Sequence, residues 1–370
     1  MSRAMRAMAT RRSVLAALGA TAWAPGLALA QDEFDRAGLK GAGSTFVYPL
    51  AARWVQQYRH HLAGGIRFAA PNTGLDDDMN GVALDYEPVG SSAGIQRLQA
   101  HAVDFALSEI PLSSAELRRQ RLLQFPVVLG SIAVAANLPG VAPGALRLTG
   151  PVLADIQLGK IRRWSDPALR ALNPQLPLPE AEIRLVHRSD GSGSTFTLTR
   201  YLAGQSAEWR KRVGADAQVQ WPAGTGVRGS SGMVAALRGT PHALGYLDEV
   251  QARQAHLASA ALQNAAGVFV APGAAGAAAA AQAAAWDATA DFNEVLVGMQ
   301  GEGAYPVVAS VFGLMHERPG TARDRRTMAF FDWALVEGRA AAEQLGYVPL
   351  PVAVIGKVRD ALSTRAGAAQ

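Results

Sequence analysis

Three times in this chain a short turn of glycine and hydroxyl residues runs into apolar residues at helical spacing. Gly41-Ala42-Gly43-Ser44-Thr45-Phe46 leads into Leu50, Trp54, Tyr58 and Leu62. Gly90-Ser91-Ser92-Ala93-Gly94 leads into Ile95, Leu98 and Ala102. Arg188-Ser189-Asp190-Gly191-Ser192-Gly193-Ser194 follows a strand-like run (Ile183, Leu185, Val186) and leads into Phe196, Leu198, Tyr201 and Leu202. A helix start exposes unpaired backbone N–H groups and carries about half a positive charge. In the third turn Gly191 and Gly193 let backbone approach a ligand, Ser192 and Ser194 add hydroxyl donors, and Arg188 offers a planar fork suited to an oxyanion. One such turn only caps a helix. Three of them point to donors converging on a single anion.

The first thirty residues read as an export signal rather than as fold. Arg11-Arg12 precede a mildly apolar run, Val14 to Leu29, and Ala28-Leu29-Ala30 is a small-x-small cleavage site, so cleavage after Ala30 is expected. Thr10-Arg11-Arg12-Ser13-Val14-Leu15 fits a twin-arginine signal, and an ordinary secretory signal with an incidental arginine pair fits the same residues. Pro25 and Gly26 interrupt the run, which argues against a membrane anchor. Cysteine is absent, which excludes a lipidated cysteine and any disulfide, and a periplasmic location is expected. Arg3, Arg6, Arg11 and Arg12 are the only charged residues of the signal, so the formal charge of +5 falls to about +1 without them. That balance, with no concentrated basic helix, does not fit a nucleic-acid binder.

Beyond residue 30 the chain exceeds one comfortable core of about 250–300 residues. Phe125 to Ala136 is a long apolar run that reads as a strand crossing between lobes, and Tyr305 to Met315 reads as the return crossing. Strands alternate with helices on either side: Val103 to Glu109 as a buried strand ending in a carboxylate, a Ser-x-x-Glu cap at Ser113, Ala243 to Leu247 as a strand, and helices at 152–158, 271–285 and around Phe330-Phe331-Asp332-Trp333. The expected fold is α/β with two lobes joined by two crossing strands and the ligand in the cleft: lobe 1 is 31–130 plus 305–370, and lobe 2 is 131–304. The acidic run Asp76-Asp77-Asp78 lacks the ligand spacing of an EF-hand and reads as a solvated turn. Gly229-Ser230-Ser231-Gly232 reads either as a connector or as a further ligand contact.

In order and spacing, the three turns and Asp104-Phe105-Ala106-Leu107-Ser108-Glu109 resemble the periplasmic phosphate-binding proteins of Pst-type ABC phosphate importers. Leu158-Gly159-Lys160-Ile161 with Trp164, Leu172-Asn173-Pro174, Gly245-Tyr246 and the Phe330–Trp333 segment extend the resemblance over nearly the whole chain beyond the signal. It implies a type II periplasmic-binding-protein fold, lobe closure on inorganic phosphate and delivery to membrane permease subunits, by a monomer without cofactor or metal. Carried across by position, it puts the Thr45 hydroxyl, the Phe46 backbone N–H, Ser91, Arg188, Ser192, Gly193 and Ser194 on the phosphate. Asp190 would orient Arg188. Glu109 falls where the family has an aspartate that accepts the phosphate's own proton. Glu109 in place of Asp, Ala93 in place of Gly and Ser194 in place of Thr are departures. Glu109 is the largest, because an added methylene must be absorbed in a tight cleft.

The physical logic of a buried carboxylate beside an anion is selection by penalty. It repels any anion that does not bring a proton to share, and near neutral pH phosphate has one while sulfate does not. Two other functions fit parts of the sequence. A phosphate scavenger or sensor uncoupled from transport would use the same site. A serine hydrolase would use Ser92, since Gly90 to Gly94 satisfies Gly-x-Ser-x-Gly, but His187, His242, His256 and His316 sit in no recognisable catalytic motif. Binding without catalysis is the expectation.

Overall fold

A computed structural model describes residues 38–62, 84–317 and 321–367. The export signal and the acidic run at 76–78 lie outside the described residues. Within them, strand β1 (Leu39–Gly43) is followed by helix α1 (Tyr48–Leu62), β2 (Leu84–Glu87), α2 (Ser91–Gln99) and β3 (Phe105–Ser108). Strand β1 pairs in parallel with β2 on one side and β3 on the other. The apolar residues of the first repeat do what their spacing requires: Leu50, Trp54 and Tyr58 form the buried face of α1.

Strand β4 (Leu122–Ala136) is fifteen residues long and buried throughout. The second half of the sheet comprises β5 (Arg184–Arg188), β6 (Thr225–Val227) and β7 (Ala243–Asp248), and β8 (Val308–His316) brings the chain back. Among the described residues one ten-stranded sheet carries these in the order β2-β1-β3-β8-β4-β7-β5-β6. Strand β8 pairs antiparallel with β4 from Leu122 to Ser131, and β7 pairs with it from Ile132 to Ala136. The one strand therefore changes partners between Ser131 and Ile132, passing from one half of the sheet into the other. Neighbours on both edges and both faces explain why its sequence is apolar without alternation.

Helices α3 (Gly193–Gln205) and α4 (Gly229–Gly239) leave the ends of β5 and β6, α5 (Glu249–Gln254) leaves β7, and α6 (Ala322–Val336) covers the first half with Phe330 and Phe331. A two-residue strand, β9 (Val348–Pro349), pairs with β4 at Val128 and Leu129. Each half has a point where chain order reverses across the sheet, at β1 in one and β5 in the other. Both reversals lie beside strand ends that feed the glycine-rich turns, the place where open α/β sheets bind ligands.

Candidate functional site

The site is built from strand ends. Glycine at position 43 is required: its φ is +137° and a side chain there would overlap the Leu107 carbonyl, which accepts a hydrogen bond from Ser44 N at 2.8 Å. Gly90 (φ +96°) then donates its N–H to the Gly43 carbonyl at 2.8 Å, which draws the first and second turns together. Glu109 follows β3 directly and is 3% exposed.

All three turns meet on that carboxylate. The Ser44 hydroxyl donates to one Glu109 oxygen, and the Ser91 hydroxyl donates to the other at 2.7 Å. Gly193 of the third turn lies so close that a side chain at that position would overlap the Glu109 carboxylate. The second and third turns also touch through backbone, with Ser92 N donating to the Gly191 carbonyl at 3.3 Å. Residues far apart in sequence are thus gathered on one buried acid. Burial pushes the Glu109 carboxyl above its ordinary value, opposed by the two serine hydroxyls and the Arg188 charge.

Arg188 is buried and held by Asp190 in a two-toothed ion pair, Nε to Oδ1 at 2.6 Å and Nη2 to Oδ2. Burial pushes Asp190 up, but the hydrogen bonds and charge of Arg188 and the Gly229 N–H outweigh it and hold the carboxyl below its usual range. Asp190 thus holds the guanidinium by two of its nitrogens. Behind the arginine, the Tyr246 hydroxyl accepts from Arg188 N at 3.1 Å and pairs with the Thr195 hydroxyl at 2.6 Å. Burial drives that phenol up to about 12. Trp221 stacks on Tyr246 and on His187.

The other residues expected at the site are nearby in differing roles. The Ser192 hydroxyl caps α3 by accepting from Thr195 N at 3.3 Å, and Ser194 is buried in its first turn. The Thr45 hydroxyl pairs with Ser230 at 2.8 Å. The Phe46 N–H donates to the Ser44 hydroxyl oxygen at 3.1 Å, and Val47 N does so at 3.3 Å. Sequence reasoning assigned no role to Ser44 or Tyr246. Ser230 opens α4 in the 229–232 segment, where Gly229 N donates to Asp190 and the Ser230 hydroxyl reaches Thr45. Of the histidines weighed as a base for Ser92, His187 bonds backbone and stacks on Trp221, and His316 bonds the Leu98 carbonyl.

This cluster of hydroxyls and helix starts, with one arginine and one buried acid, is suited to a small oxyanion that carries a proton. Comparisons with known proteins agree with that chemistry. A PBP superfamily domain matches residues 10–337. The phosphate-binding protein PstS of Xylella fastidiosa (strain Temecula1) is 40% identical over 321 residues, covering 86% of this chain and 83% of that protein. PstS of Haemophilus influenzae is 38% identical over 329 residues, covering 88% and 92%. Among solved structures, a high-affinity periplasmic phosphate-binding protein bound with phosphate shares 21% identity at a TM-score of 0.64, covering 87% of this chain and 93% of that one. A phosphate-binding protein from Stenotrophomonas maltophilia gives 18% and 0.62, with the same coverage.

Proposed function

The chain belongs to the PBP superfamily and, within it, to the PstS phosphate-binding proteins, and from that premise we propose that it captures inorganic phosphate and delivers it to an ABC importer. In this reading lobe 1 is 31–130 plus 305–370 and lobe 2 is 131–304, which is supported by the change of β4's partners between Ser131 and Ile132. The phosphate ligands are the Thr45 hydroxyl, the Phe46 N–H, Ser91, Arg188, Ser192, the Gly193 backbone and Ser194. Glu109 accepts the phosphate's proton and Asp190 fixes the arginine. Ser44 and Ser230 complete the set by holding Glu109 and Thr45. The setting is the periplasm after cleavage at Ala30. Among the described residues no helix is long and apolar enough to cross a membrane.

The observation that carries this reading is the convergence of Ser44, Ser91 and Gly193 on the Glu109 carboxylate. A buried oxyanion needs every oxygen met by a donor, or desolvation costs several kcal/mol. Hydroxyls, backbone N–H groups and one arginine meet that need without a pool of positive charge. The test is calorimetric titration of the exported protein with phosphate, sulfate and arsenate, with tryptophan fluorescence as a second readout. Phosphate should bind far more tightly than sulfate, and phosphate esters should not turn over. Equal affinity for phosphate and sulfate would end the proton-sharing role of Glu109.

A further inference from the structure

The geometry assigns Asp248 the part of a positioning residue for the first anion-binding turn, acting through Gln251 and Tyr347 on the carbonyls of Thr45 and Phe46. The inference rests on the phosphate reading above.

Asp248 is the last residue of β7, opposite Ile132 where β4 changes partners, and it is 1% exposed. Its Oδ1 caps α5 by accepting from Val250 N at 2.8 Å and Gln251 N at 3.3 Å. Capping needs only that oxygen. The other, Oδ2, accepts from the Gln251 side-chain amide at 2.6 Å and from the Tyr347 hydroxyl at 3.3 Å. Both of those groups continue onward. The Gln251 amide nitrogen also donates to the Thr45 carbonyl at 3.4 Å, and the Tyr347 hydroxyl donates to the Phe46 carbonyl at 2.8 Å.

Those two carbonyls belong to consecutive peptide planes. A trans peptide is rigid, so fixing its C=O aims its N–H the opposite way. Holding the Thr45 carbonyl aims the Phe46 N–H, and holding the Phe46 carbonyl aims the Val47 N–H. Both N–H groups meet at the Ser44 hydroxyl, which donates to Glu109. An unbroken path of hydrogen bonds therefore runs from the strand exchange on β4 to the carboxylate at the centre of the site. Packing pins the same turn, with the Phe46 and Tyr347 rings edge to face at 5.8 Å and both against Gly130 of β4.

Tyr347 has one proton and two acceptors. While Asp248 is protonated its own O–H satisfies the Tyr347 oxygen, and the phenol proton is free for Phe46. Once ionised, Asp248 is the stronger acceptor and competes for that proton. Burial raises the Asp248 carboxyl to about 7, so the exchange falls in the working range. Charged or titratable groups facing this network include Glu249, whose charge acts on Asp248, Tyr347 and Tyr305, Arg253, which pairs with Glu249 and bonds the Leu345 carbonyl beside Tyr347, and Glu109, whose charge reaches Tyr347.

The test is phosphate calorimetry on the unmodified protein and on Asp248→Asn, Tyr347→Phe and Gln251→Leu, at about pH 6 and about pH 8. Thermal unfolding verifies that each is folded, and half-buried Gln251 is the substitution least able to prevent folding. Phosphate's own ionisation and that of Glu109 are common to all four, so differences between profiles isolate Asp248. Tyr347→Phe and Gln251→Leu should weaken binding about tenfold. In the unmodified protein affinity should fall with rising pH more steeply than in Asp248→Asn or Tyr347→Phe. Wild-type affinity in all three variants, or weaker binding with an unchanged pH profile, would overturn the assignment. Failure of the unmodified protein to bind phosphate would instead sink the phosphate reading, and this proposal with it.

Discussion

Replacing Glu109 by glutamine isolates the electrostatic part of selectivity with little change in shape. The carboxylate is 3% exposed and receives hydroxyl bonds on both oxygens, so its charge is poorly screened by solvent. Two unit charges about 4 Å apart at an effective dielectric of about 20 repel by roughly 4 kcal/mol, or about three decades in affinity. A fully ionised anion such as sulfate meets that repulsion in full. Monohydrogen phosphate places its proton between the two charges and converts the contact into a charge-assisted hydrogen bond. In Glu109→Gln the amide oxygen still accepts that proton, as a neutral acceptor weaker by about 1 kcal/mol. Sulfate should therefore bind up to about a thousandfold more tightly than to the unmodified protein, while phosphate loses no more than about tenfold. Competition calorimetry, with sulfate titrated into the free protein and then displaced by phosphate, reads both numbers from one sample. Unchanged sulfate affinity in the variant would refute the argument, because the repulsion it removes would not have been there.

Arg188→Ala should cost at least about a hundredfold in phosphate affinity, since it removes the fork and leaves Asp190 without its partner; isothermal titration checks this. Gly193→Ala puts a methyl group into the Glu109 carboxylate, and about 1–3 kcal/mol of overpacking predicts phosphate binding some ten- to hundredfold weaker with the fold retained by circular dichroism. Stability should fall as pH rises toward neutrality. Asp248 has a folded pKa of about 7 against an ordinary 3.8, so the folded state holds the proton more tightly, and this contribution is full below the ordinary value and lost as pH rises through about 7. Glu109, also raised by burial, acts in the same sense. Melting temperatures across that window should decline in the unmodified protein and flatten in Asp248→Asn.

The repeated turn-and-helix pattern was legible because helical periodicity and turn chemistry are local properties. Leu50, Trp54 and Tyr58 face the core as their spacing requires. The crossing strand was legible for a related reason: a run like Phe125 to Ala136, apolar at every step, suits a strand with neighbours on all sides, and the structure extends it back to Leu122. The details of the site were not legible, because they depend on which way a turn residue points. Ser44 and Thr45 are adjacent hydroxyls in a segment without periodicity, and nothing local decides that one meets Glu109 while the other meets Ser230, 185 residues away. Asp248 drew no reading from the sequence, and in the structure it caps α5. Its second oxygen serves Gln251 three residues on and Tyr347, 99 residues on, and the latter contact is set by tertiary approach alone.

Strand β4 serves both halves of the sheet without a break, and its amides are committed to β8 and then to β7. A floppy tether in its place would let the halves wander, and each capture event would have to re-order it at about 1–2 kcal/mol per residue. A strand whose amides are paired along its length needs no such ordering, so little of the binding energy is diverted to stiffening it.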